Sequence, residues 1–202
     1  MTALKMTGSS RYALLATILM AMAIAPESAT ADGKTPDFNR WFLSFGFDVA
    51  EIGAKFVPDD DPFVGGLPAY GNSFITQGYI YPAGTLSEGN GVLPNGDPEF
   101  PDDVIGTWTC FGWHVADAAT ATEGAAVVTT QIYEFSDTPG KLSFVTDGFE
   151  LVFGDSTPIR RAVTGGTGLL WNAHGKVTQS YLGFPNESGG VNLRFRASLR
   201  RF

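Results

Sequence analysis

The C-terminal run "VNLRFRASLRR" carries the clearest pattern in the chain. Val191, Leu193, Phe195, Ala197 and Leu199 fall on one face, and Asn192, Arg194, Arg196, Ser198 and Arg200 on the other. Strict alternation marks a β-strand with one face buried and the other in water. From Asn72 onward the chain repeats this habit. "SFITQGYIY", "VIGTWTCFGWHV", "AAVVTTQIYEF", "KLSFVTDGFELV", "IRRAVTG" and "AHGKVTQSYLGF" are short runs rich in β-branched and aromatic residues. Segments rich in Gly, Pro, Asn and Asp separate them, among them "PAGTLSEGNGVLPNGDPEFPDD" and "PNESGG". No helical period competes in this half. Seven or eight antiparallel strands in about 130 residues predict an all-β sandwich or closed barrel. An eight-stranded barrel has room inside for side chains or one small ligand.

The N-terminal part differs. Lys5 and Arg11 precede the apolar run Tyr12 to Ile24, and Ala29-Thr30-Ala31 has the small-x-small form of a cleavage site. Residues 1–31 therefore read as a secretory signal peptide, which predicts a secreted or periplasmic protein. The alternatives are an uncleaved anchor or a buried helix. The run is short for a membrane span, and no later segment is long and apolar enough. Residues 32–72 read as a partly irregular arm, and residues 73–202 as the barrel. Within the arm, Asp59-Asp60-Asp61 lacks the spacing, glycine and glutamate of a calcium loop and reads as a solvated turn.

Charge and cysteine usage narrow the partners. The 202 residues hold 13 Lys and Arg against 21 Asp and Glu, a net charge of −8. Nucleic acid is excluded as an expected partner, because phosphate binding needs a basic surface. The single cysteine, Cys110, allows no intrachain disulfide. It is either a small buried hydrophobe or a reactive thiol.

The glycine-rich stretch "AVTGGTGLLWNAHGKVTQSY" raises the question of a phosphate loop. Gly166-Thr167-Gly168 leads into Leu169, Leu170 and Trp171 without the third glycine of a dinucleotide fingerprint. Gly175-Lys176 precedes Val177, which breaks the P-loop pattern. The residues from Ala173 to Tyr181 alternate as a strand, so Gly165, Gly166, Gly168 and Gly175 are assigned a structural role at a bend or bulge.

That stretch, with the Cys-bearing strand "GTWTCFGW" before it and the hairpin "SYLGFPNESGGVNLRFRASL" after it, resembles the allene oxide cyclase and dirigent proteins. The resemblance covers roughly Phe74 to Leu199. It implies an eight-stranded antiparallel barrel with a mostly apolar cavity, a homotrimer, and no metal or organic cofactor. In the cyclases such a barrel steers an unstable epoxide to one cyclopentenone. In dirigents it orients phenoxy radicals so that coupling gives one stereoisomer. The substrate is already reactive, so the protein mainly fixes its conformation and excludes water. The resemblance places Cys110 inside the barrel as the candidate catalytic residue. By alternation Trp108 and His114 share its face, with His114 near the strand end as an exposed rim residue. Gln179, Tyr181, Leu193 and Phe195 complete the candidate substrate-binding set. A Cys110–His114 pair is not expected, since residues i and i+4 on a strand lie about 13 Å apart. The cyclase Glu-x-Asn on the first strand has no match, although Asp48, Glu51 and Pro58 lie in the corresponding stretch. The resemblance to dirigents implies inward acidic residues and an arginine. Glu134, Asp147 and Glu150 lie on candidate strands and are assigned to the surface by default. Of the adjacent Arg160 and Arg161 one points inward and could reach the cavity, with a solvated strand end as the leading reading. Asn186-Glu187-Ser188 has the form of a glycosylation sequon.

The expected function is an exported barrel that binds a hydrophobic small molecule and acts as an isomerase or cyclase on it. The alternatives are a non-catalytic lipid or small-molecule carrier, and a structural domain filled with its own side chains. Convergent polar groups inside an apolar cavity favour the first, a smooth apolar lining the second.

Overall fold

A computed structural model describes residues 42–200, except 59–62, 65–66, 69, 88, 117–125 and 152–156. The signal-peptide segment and the Asp59–Asp61 turn lie outside the described residues. Eight long strands form the barrel: β1 (Phe42–Glu51), β2 (Ser73–Pro82), β3 (Gly106–His114), β4 (Ala126–Glu134), β5 (Leu142–Leu151), β6 (Ile159–Gly168), β7 (His174–Pro185) and β8 (Val191–Arg200). Each strand from β2 to β7 pairs antiparallel with the next. β1 closes the circle by pairing with both β8, Phe47 opposite Phe195, and β2, Val49 opposite Ile80. All-β closure removes every long unpaired edge. Among the described residues no helix is long and apolar enough to cross a membrane.

Strands β2 to β8 fall where the alternation places them. β1 lies inside the segment read as an irregular arm. Its inward residues Leu43, Phe47 and Val49 are buried, but so are the outward residues Asp48 and Ala50. The segment 83–105 covers them, so the C-terminal half of this strand is buried on two faces, although Leu43, Phe45, Phe47 and Val49 alternate with Ser44, Gly46, Asp48 and Ala50 in the sequence. Asp48 holds that cover in place. Its carboxylate accepts from the backbone N–H groups of Gly84 (2.9 Å) and Leu86 (3.1 Å) and from Arg194 Nε (2.8 Å) and Nη2 (3.0 Å). Leu86, Val92 and Tyr81 fill the space beneath.

One end of the barrel is packed shut with aromatic rings. Phe47 stacks on Phe195 at 5.1 Å and Tyr133 on Phe144 at 4.5 Å, with Phe45 and Phe135 packed at their edges. Each buried ring contributes about 1.5–3 kcal/mol of transfer free energy. The glycine stretch sits at this closed end. A bulge lies where the β5–β6 register slips between Val145 and Thr146, beside Gly165. Gly168 (φ +57°) and Asn172 (φ 58°) bracket the turn Leu169–Asn172. A Cβ at Gly168 would overlap the Lys141 carbonyl oxygen, one at Gly166 the Leu170 carbonyl and one at Gly175 the Ser198 carbonyl, whereas Gly165 has open space.

The sequon is not available as an acceptor. Asn186 is 4 % exposed, and its amide donates to the Glu51 carbonyl at 2.7 Å and to Asn192 Oδ1 at 3.2 Å. It ties the β7–β8 turn to the end of β1.

Candidate functional site

The inward faces change character along the barrel. Beyond the aromatic plug, β4 presents Gln131 and Thr129, β5 presents Thr146 and Glu150, β6 presents Arg161 and β7 presents Gln179. All converge on one ion pair. The Arg161 guanidinium is fully buried and pairs with Glu150. Its Nε donates to Thr146 Oγ1 at 2.9 Å, and its Nη2 donates to the Thr129 carbonyl at 2.9 Å. Gly148 gives it room, since a Cβ there would stand 3.2 Å from Arg161 Cγ and Nη1. Glu150 also accepts from Thr129 Oγ1, from Gln131 Nε2 (3.2 Å) and from Gln179 Nε2 (2.7 Å). Gln131 donates to Gln179 Oε1 at 3.1 Å and accepts from the Tyr133 hydroxyl. A buried charge is tolerable only when paired and fully hydrogen-bonded, and this pair is both. Such a network fixes each side chain in one orientation.

A second carboxylate lies on the opposite wall. Glu51, at the end of β1, is 8 % exposed and accepts from Thr76 Oγ1 (2.6 Å) and from the Val191 backbone N–H (2.9 Å). Burial raises its proton affinity above the ordinary carboxyl value, and the charge on Glu150 adds to the rise. The two carboxylates thus have different environments: one gains a guanidinium partner, the other is desolvated.

Two buried polar atoms among the described residues bind no protein atom: Trp108 Nε1 and the Tyr181 hydroxyl. Both belong to inward residues. Unpaired buried donors are rare in folded proteins and point to something else that pairs with them.

The sequence-derived candidates divide. Trp108, Cys110, Gln179 and Tyr181 are inward; Gln179 bonds Glu150, Cys110 lies in the field of Glu150 and Arg161, Tyr181 in that of Glu51, and Trp108 packs in the apolar core. Burial pushes the Cys110 thiol up, and the charge on Glu150 pushes it further. A thiol that keeps its proton packs and hydrogen-bonds but is a poor nucleophile. His114 corrects the expectation of an exposed rim residue. It is 5 % exposed, lies 5.4 Å from the Phe74 ring, and its Nδ1 stands 3.2 Å from the Asn72 carbonyl oxygen. Burial lowers its proton affinity. Phe195 belongs to the aromatic plug, and Leu193 is packed in the same core. Glu150 and Arg161 overturn their assignment to solvent, while Asp147 and Arg160 keep it. The signal for Arg161 lies in the parity of β6, because Val163 and Arg161 share the inward face. Among the described residues no group of three His, Cys, Asp or Glu could hold a metal.

No family model matches the chain, and no curated protein matches it. Solved structures do share its fold. The chain is similar to the pterocarpan synthase dirigent protein PsPTS1, with TM-score 0.58 and 12 % identity over 80 % of this chain and 96 % of that chain. It is similar to the pterocarpan synthase dirigent protein GePTS1, with TM-score 0.56 and 11 % identity over 80 % of this chain and 85 % of that chain. The Diels Alderase AbmU from Streptomyces koyangensis matches at TM-score 0.48 and 15 % identity, over 96 % of this chain and 72 % of that chain. The protein is thus a closed eight-stranded barrel with the fold of dirigent proteins.

Proposed function

We propose that this barrel is an exported protein that takes a reactive, mainly apolar small molecule into its polar-lined half and controls the geometry of its ring closure or coupling. The observation that carries this reading is the set of polar groups gathered inside an otherwise apolar barrel, with Trp108 Nε1 and the Tyr181 hydroxyl left unpaired there. A carrier needs only an apolar lining, and a purely structural barrel would fill its axis with hydrocarbon. The fold of the dirigent proteins is compatible with stereocontrol of this kind, and the allene oxide cyclase type of ring closure is a narrower form of the same reading.

The chemistry divides between two walls. Glu51, desolvated and inclined to keep its proton, is suited to give that proton to an oxygen that gains negative charge in the reaction. The Arg161–Glu150 pair, held by Thr129, Gln131, Thr146 and Gln179, supplies a fixed local field and orients polar groups of the ligand. Trp108 and Tyr181 offer hydrogen-bond donors to those groups.

The test supplies coniferyl alcohol and an added one-electron oxidant, then measures the enantiomeric excess of the coupled product. The wild-type chain is expected to bias one enantiomer, and Glu51→Gln and Arg161→Lys to reduce the excess. A racemic product from a wild-type chain that still binds phenols contradicts stereocontrol of this substrate class and favours carriage.

A further inference from the structure

The outer wall of β6, β7 and β8 carries a charge pattern opposite to that of the whole chain. Arg160, Lys176, Arg196 and Arg200 are all exposed and outward. The register sets Arg160 and Arg196 on either side of Thr178 in one row. Lys176 lies one outward position along β7, opposite Ser198, and Arg200 lies opposite His174 and Phe42. The intervening outward residues are Ala162, Thr178, Ser198, Ser44 and Gly46, none of them acidic. None of the four cations forms an ion pair among the described residues, whose only two ion pairs are Arg161–Glu150 and Arg194–Asp48. Asp147, bound to Thr130 Oγ1, marks the β5 edge of the stripe. In a chain of net charge −8, four unpaired cations on one wall leave a strong local excess of positive charge.

Exposed apolar groups cap the same wall at the plugged end of the barrel. The tight turn between β6 and β7 leaves Trp171 66 % and Leu169 49 % exposed, while Leu170 is buried. Phe42, 55 % exposed, lies beneath Arg200, whose Cζ stands 6.0 Å from its ring centroid. Gly168 (φ +57°) and Asn172 (φ 58°) shape the turn that presents Trp171. An exposed Trp and Leu with Arg and Lys set behind them match the arrangement of side chains at a membrane–water interface, where apolar tips enter the acyl boundary and cations meet anionic headgroups. The polar-lined half of the barrel lies toward the far end.

We propose that Arg160, Lys176, Arg196 and Arg200, with Trp171 and Phe42, dock the plugged end of the barrel onto a membrane surface that contains anionic lipid. Charge complementarity selects the lipid, and the apolar tip distinguishes a bilayer from a soluble polyanion. Docked this way, the polar-lined half of the barrel faces away from the membrane surface.

The experiment is cosedimentation of the full chain with phosphatidylcholine vesicles and with vesicles containing one part phosphatidylglycerol to four of phosphatidylcholine. Binding is expected only to the anionic vesicles, with a blue shift of tryptophan emission that Trp171→Phe abolishes. Arg160→Gln/Lys176→Gln/Arg196→Gln is expected to weaken binding on the order of 100-fold, and Trp171→Ser to weaken it with its charge intact. Circular dichroism checks that each variant folds, and Trp113→Phe serves as a neutral exterior control. Equal binding to both vesicle types, unaffected by these variants, overturns the proposal and assigns the affinity to the apolar run before β1. Binding that inorganic polyphosphate abolishes and Trp171→Ser leaves unchanged also overturns it, in favour of a soluble polyanion. Sedimentation without vesicles overturns it in favour of self-association, and failure to bind overturns it outright.

Discussion

Arg161 on β6 and Glu150 on β5 meet inside the barrel, and Thr129, Gln131, Thr146 and Gln179 are arranged around them. Breaking a buried pair from one side strands the other charge. Arg161→Met is therefore expected to cost about 3–5 kcal/mol. That is a fall in Tm of roughly 2–4 °C for each kcal/mol in a domain of this size. Arg161→Met/Glu150→Leu is expected to recover most of the loss. Thermal unfolding of the three proteins checks this, and a double variant less stable than the single one contradicts it.

Glu51 predicts a pH dependence. Its folded proton affinity is raised above the unfolded value, chiefly by burial. The stability it contributes is complete below the ordinary carboxyl range and is lost as pH rises through the folded value. Glu51→Gln keeps the hydrogen-bonding shape without the charge. It is expected to be more stable than wild type at pH 7 and equal to it near pH 4. His114 acts in the opposite sense: burial lowers its proton affinity, so its contribution is lost as pH falls through the unfolded histidine value. Denaturant titrations across pH separate the two, because Glu51→Gln removes only the first slope.

The glycine stretch gives a graded prediction. Gly168→Ala combines a left-handed backbone with an overlap on the Lys141 carbonyl and is expected to cost about 1–3 kcal/mol or more. Gly165→Ala meets open space and is expected to change stability by less than about 0.5 kcal/mol. Equal effects at the two positions would contradict the bulge-and-turn account.

Asp48 separates stability from function. It is fully buried on the outer wall and accepts four hydrogen bonds, two from the segment 83–105 and two from Arg194 on β8. Asp48→Ala is expected to destabilise by about 3–5 kcal/mol, since it leaves Arg194 and two backbone donors unpaired. Ligand binding below the melting temperature is expected to persist.

Seven of the eight strands were legible because each buries one face, which leaves a period of two in the sequence. β1 carries the same period, Leu43, Phe45, Phe47 and Val49 against Ser44, Gly46, Asp48 and Ala50, but it adjoins a segment rich in Pro, Gly and Asp that reads as loop. The resemblance placed Cys110 inside the barrel, and parity along the same strand carried Trp108 with it. The centre of the site was not legible, because residue type outweighed parity: glutamate and arginine default to solvent. Arg161 violates that default only because Gly148 vacates space on β5 and Glu150, Thr146 and Thr129 come from strands that pair with each other at long sequence separation. His114 reads as a rim residue by position, but the adjoining Phe74 and the Asn72 backbone bury it.

The most direct test of the ligand-binding interior is the indole N–H spectrum of the ¹⁵N-labelled chain during titration with 2-naphthol. Trp108 lies inside the barrel with its Nε1–H unpaired, whereas Trp113 and Trp171 are exposed on the exterior. A ligand held among the inward polar groups is predicted to shift the Trp108 signal saturably and to leave Trp113 and Trp171 in place. Shifts confined to Trp113 or Trp171, with Trp108 unmoved, would contradict a binding site inside the barrel.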